Sequence, residues 1–115
     1  MKKIGGNTAA VFQTKVVTKN AIGEGVSVWA DTLAVKGWLD LSGGDSKHTT
    51  FNAKIQESTH VWLMDYQALP DTVTEETAQM VIDGKTYEVL LIDDPMGMHE
   101  HFEVFLKYTG GQNVG

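Results

Sequence analysis

Thr77-Ala78-Gln79-Met80-Val81-Ile82-Asp83-Gly84-Lys85-Thr86-Tyr87-Glu88-Val89-Leu90-Leu91-Ile92 contains two apolar, strand-like runs divided by Asp83-Gly84. An Asp-Gly pair between such runs is the strongest short-range hairpin signal, because a type I′ turn needs positive φ at both central positions. The spacing predicts strands over 77–82 and 85–92. Downstream, Pro95-Met96-Gly97 turns the chain into His101-Phe102-Glu103-Val104-Phe105-Leu106-Lys107-Tyr108. That run alternates strictly. Phe102, Val104, Leu106 and Tyr108 face one way, and His101, Glu103, Phe105 and Lys107 the other. The three pieces form an antiparallel meander.

Upstream, Ala34–Leu41 alternates Val35, Gly37, Leu39 and Leu41 against Ala34, Lys36, Trp38 and Asp40. Thr59–Met64 and Thr8–Val17 complete the set of expected strands. Val, Ile and Thr supply 29 of the 115 residues, a composition that favours strands. No window holds a 3.6-residue period, although Leu69–Met80 has room for one helical turn. About six strands joined by hairpins and loops predict an all-β fold, a small antiparallel barrel or sandwich with a long loop. The chain forms one domain over 1–115, with flexible tails at 1–7 and 110–115. Asn20–Gly25 is a loop after the first strand. The loop from Ser42 to Ser58 is longer than such a barrel needs, and loops of that length are usually functional or disordered.

There is no cysteine, so disulfides, thiolate metal sites and thiol chemistry are excluded. The longest apolar runs, such as Val89–Ile92, are too short for a membrane-spanning helix, and Met1–Gly6 lacks the apolar stretch of a signal peptide. The expectation is a soluble protein away from membranes. Net charge is −6 without any arginine. Residues 1–23 hold Lys2, Lys3, Lys15 and Lys19 and no acid; residues 24–115 hold five lysines and fifteen acids. Forked phosphate and guanine contacts are therefore out of reach, which disfavours a specific DNA reader.

His99 and His101 stand out as candidate metal ligands, since alternate residues on a strand share a face. The spacing does not match a cupin, and the competing reading is a polar turn running into a strand. Asp93-Asp94-Pro95 reads as a turn start, and Gly43-Gly44 lacks the lysine and hydroxyl of a phosphate loop. No nucleophile triad is legible. Trp29, Trp38 and Trp62 read as core residues, with Trp38 equally placed for a subunit interface because it shares a face with Lys36 and Asp40.

The succession of motifs is a basic first strand, Gly23-Glu24-Gly25, Trp29-Ala30-Asp31, Ala34–Trp38, Ser42-Gly43-Gly44, Val81–Val89, Asp93-Asp94-Pro95 and His101–Gly111. Over roughly residues 10–111 it resembles the head-closure, or head–tail joining, proteins of long-tailed bacteriophages and prophages. Family members often carry arginines in the first strand, where this chain has Lys15 and Lys19. The resemblance implies a non-enzymatic virion protein without cofactors, made in the bacterial cytoplasm. It would assemble as a ring, usually a dodecamer, between a portal-adaptor ring and the tail or tail-terminator proteins. The ring closes the DNA exit channel after packaging, and DNA passes without specific binding. On this view Gly43, Gly44, Asp45, Lys47, His48 and Thr49 belong to a gating loop. Lys2, Lys3, Lys15, Lys19 and Trp38 make subunit or partner contacts. The alternatives are a tail-side completion protein, or a small metal-dependent β-barrel enzyme using His99 and His101.

Overall fold

A computed structural model describes residues 3–41 and 57–112. Six strands, β1 (Thr8–Lys19), β2 (Gly25–Leu41), β3 (His60–Asp65), β4 (Ala78–Ile82), β5 (Lys85–Asp93) and β6 (His101–Gln112), account for nearly all its regular structure. They close in the order β1-β2-β3-β6-β5-β4, and every pairing is antiparallel. The protein is therefore all-β, as the alternation predicts. The expected meander is the β4-β5-β6 wall. At its first turn, Asp83 and Gly84 take φ of 53° and 76°, the two positive values that a type I′ hairpin needs. The 110–112 segment, expected in a tail, extends β6, with Gln112 opposite Lys85.

Closure buries one layer of inward side chains. Phe12, Trp62, Met80, Val104 and Leu106 are each 0% exposed. Phe102, Val104 and Leu106 point inward as the sequence pattern requires, and Tyr108 packs at the edge of the same core. Phe105 departs from that pattern. It lies on the opposite parity yet is buried, as is Leu90, and neither belongs to the core cluster. The register shifts between Val89 and Leu91, opposite Leu106 and Phe105, so β5 carries one extra residue there. Such a bulge bends the strand and re-aims neighbouring side chains.

Leu69–Met80 holds two isolated turns and the start of β4. Val73 N–H donates to Pro70 O, and Ala78 N–H donates to Thr74 O. Thr74 and Thr77 bond each other through their hydroxyls at 2.7 Å. Val73 is buried and Leu69 packs against the core, so this segment caps the barrel.

β2 is longer than expected. It starts at Gly25 and pairs with β1 all the way to Lys19. β1 meets β4 only up to Thr14, and β2 meets β3 only from Trp38. Lys15–Lys19 and Gly25–Trp29 therefore form a two-stranded arm beyond the barrel, and the molecule measures 50 × 29 × 24 Å. The alternation of β2 changes phase at Thr32, the extra residue of a bulge, because Phe12 faces Leu33 while Gln13 faces Asp31.

Candidate functional site

The arm presents two unlike faces. Directly opposed residues share a face, so Val16 with Val28 and Thr18 with Val26 make an apolar stripe. Its three valines are 38%, 40% and 39% exposed in that order. Lys15 with Trp29, Val17 with Ser27 and Lys19 with Gly25 make the other face. There Lys15 Nζ lies 5.2 Å from the Trp29 ring centre, a cation–π contact, and Val17 is 74% exposed. At the tip Ile22 is 78% exposed, and the Asn20 side chain holds the turn by accepting from the Ile22 and Glu24 N–H groups.

Below Trp29, on the outside of β4 and β5, lies a groove of about 450 Å³. Glu57, Glu75, Glu76 and Glu88 line it, over a floor that includes Val89 and Leu90. Glu75 is engaged, accepting from Ile92 N–H at 2.8 Å. Among the described residues Glu76 and Glu88 form no ion pair, and neither do Lys15 and Lys19. Trp29, expected in the core, thus sits at a surface junction between the arm and an acidic groove.

Trp38 is also outside the core, 41% exposed. Its Nε1–H donates to Ile4 O at 2.9 Å. The Asp65 carboxylate accepts from the Ile4 and Gly5 N–H groups at 2.7 and 2.9 Å. Residues 4–6, placed by the sequence in a tail, are thereby strapped across the barrel. Gly6 lies directly on the Gly37 backbone, where a Cβ would collide. Lys3 precedes this strap, whereas Lys15 and Lys19 lie on the arm. Thr8 and Lys19 are eleven strand steps apart, about 36 Å at 3.3 Å per residue. The basic N-terminal region is therefore not one patch: the structure joins Lys15 to Lys19 and separates Lys3 from both. Lys2 and the proposed gating residues Gly43, Gly44, Asp45, Lys47, His48 and Thr49 lie outside the described residues.

His99 precedes β6 with a φ of +56°, so strand alternation does not align it with His101. Asp94 accepts from His99 N–H at 3.0 Å and lies against its Nδ1, while His101 Nε2 is 3.3 Å from Glu103. The two imidazoles are engaged by different carboxylates. Asp94 also closes the turn at Pro95–Gly97 through its carbonyl, which accepts from Gly97 N–H. His60 is elsewhere, edge-on to Tyr87 at 5.1 Å. Partial burial and then Lys85 push its pKa below 6.5; burial and the neighbouring Tyr108 and Asp83 raise that of Tyr87.

The valine stripe and the arm tip are the features that sequence reading missed. The signal was present in Val26, Val28 and Ala30 alternating with Ser27, Trp29 and Asp31. No family model and no curated protein matches the chain. Among solved structures, it is similar to protein SF1141 from Shigella flexneri 2a, known from its solution structure. The TM-score is 0.69 at 12% sequence identity, covering 97% of this chain and 100% of that one. This likeness concerns the fold.

Proposed function

We propose that this chain is a structural subunit of a phage head–tail connector, forming a ring that closes the DNA exit channel and offers a platform to the tail. The observation that carries the reading is the motif succession over residues 10–111, whose Asp83-Gly84 and His101–Tyr108 segments form adjoining parts of one barrel wall. The two-ended shape supports it further. A barrel with a projecting arm offers unlike surfaces to successive neighbours, and heterologous contacts of that kind generate rings. An acidic body without arginine suits a channel wall that DNA passes, since basic linings hold phosphates by counterion release.

Cryo-electron microscopy of particles carrying the protein tests this. The expected result is a ring at the joint on the head side. A ring on the tail side would replace the reading with tail completion, and absence from the particle would overturn both. Metal analysis of purified protein addresses the enzyme alternative: stoichiometric zinc, iron or manganese that disappears in a His99→Ala/His101→Ala variant would favour it.

A further inference from the structure

We infer that the lysine face of the arm seats in the glutamate groove of a second copy of this chain. The inference takes from the ring reading only that copies adjoin, and it names the two surfaces that meet. Four observations lead to it. A two-stranded ribbon in water is marginal without a third element to cover it, and neither edge of this arm pairs with another strand among the described residues. Val17 and the tip residue Ile22 are large apolar groups left 74% and 78% exposed. Lys15 and Lys19 flank Val17 on one face and form no ion pair among the described residues. The groove supplies the complement: Glu76 and Glu88 are likewise without an ion pair, around an apolar floor with Leu90 and Val89.

A second copy is the occupant that this chemistry favours, because the arm carries lysines and no carboxylate from Lys15 to Gly23 while the groove is wholly acidic in its charges. The two surfaces differ, so each subunit gives an arm and receives one. Such contacts close into a ring or run on as a chain.

Sedimentation of the purified chain at low and high salt tests the contact. The wild type is expected to self-associate with a Kd of about 1 mM or tighter, weakening as salt rises. Lys15→Glu/Lys19→Glu and, separately, Glu76→Lys/Glu88→Lys each weaken association by about tenfold or more, since two attractive contacts become repulsive. Mixing the two variants restores it, because each altered arm then meets an altered groove. All four substituted positions are exposed, so melting temperature stays near wild type, and circular dichroism verifies this. A monomeric wild type, association indifferent to the reversals, or a mixture that fails to recover would each overturn the inference. The connector reading stands or falls separately: a subunit found at the joint whose reversal variants still assemble would sink the contact alone. Recovery on mixing, with the protein absent from particles, would uphold the contact and sink the connector.

Discussion

The barrel wall and the arm are built from the same kinds of residue, yet they differ in what holds them. In the wall, each strand has a neighbour on both sides, and Trp62, Met80, Val104 and Leu106 are sealed from water. In the arm, β1 and β2 pair only with each other among the described residues, and Val16, Val26 and Val28 keep more than a third of their surface exposed. Both regions carry strand-forming residues; only the barrel is closed. Burial of apolar surface contributes roughly 25 cal/mol per Å², so the wall is self-sufficient while the arm draws its order from one ladder and from the barrel at its root. A region with strand-forming residues and no second layer is where a small all-β protein meets something else.

The sharpest way to break this contrast is to truncate a large side chain in each region. Trp62→Ala should lower unfolding free energy by about 3–5 kcal/mol, the range for emptying a sealed aromatic site. Val28→Ala should stay within about 0.5 kcal/mol, as for other half-exposed positions. Trp62→Phe should fall well below the alanine variant. It keeps a ring, and it removes the Trp62 Nε1–H, a buried donor with no partner among the described residues. Chemical denaturation of the three variants measures all of this. A Val28→Ala loss as large as that of Trp62→Ala would show that the arm belongs to the cooperative core.

Gly37 comes next. It faces into the barrel, where an added Cβ would meet the Leu63 carbonyl oxygen and come within 2.7 Å of the Trp62 ring. Backbone cannot give way as a flexible side chain does, so Gly37→Ala is expected to cost about 1–3 kcal/mol by overpacking. Gly25, at the start of the arm strand, has only the Val17 methyl at 3.3 Å, and Gly25→Ala should leave the melting temperature nearly unchanged.

Two turn glycines sharpen the comparison further, since both have positive φ, 76° at Gly84 and 87° at Gly23, and both have open space around them. The strain of placing valine there is similar, about 1–2 kcal/mol. Its readout should differ. Gly84→Val burdens the β4–β5 hairpin of the wall and lowers the melting temperature. Gly23→Val burdens only the arm tip, so faster hydrogen exchange at arm amides with little change in melting is expected. Equal shifts in melting would mean that the two hairpins unfold together.

How far the sequence could be read follows the same division. The β4–β5–β6 wall was legible because two short apolar runs flank a turn dipeptide that has one favoured geometry, and His101–Tyr108 alternates without a break. The arm half of β2 was not, because the bulge at Thr32 shifts the inward parity from Leu33 and Val35 to Ala30 and Val28. Two short runs out of phase do not read as one strand. Size alone points Trp29 to the core and leaves Trp38 evenly between core and interface; strand pairing sets both faces and puts both at the surface. Parity alone turns Phe105 outward, yet beside the β5 bulge it is buried. The candidate docking face was hidden for a related reason: Lys15, Lys19 and Val17 become one surface only when the register is known. The groove glutamates come from separate turns and strands that adjoin only after closure.

The smallest expected effect concerns pH and lies in the wall. His60 enters the barrel mouth against Tyr87 and Tyr108. Burial, and then the Lys85 ammonium, hold its pKa below the ordinary 6.5. A base whose pKa is lowered by folding binds its proton more readily in the unfolded chain. Well above pH 6.5 the imidazole is neutral in both states, and its contribution is fully present. As pH falls below that value the unfolded chain takes up a proton first, and stability drops until the folded-state pKa is also passed. The ring is only partly buried, so the effect is modest. Melting temperatures between about pH 7 and pH 5, the window in which histidine titrates, should fall less steeply for His60→Gln than for wild type. His99 and His101 are present in both proteins, so the difference between the two slopes isolates His60. Parallel slopes would show that folding leaves the proton affinity of His60 unchanged, and that the barrel mouth is as open to water as the arm.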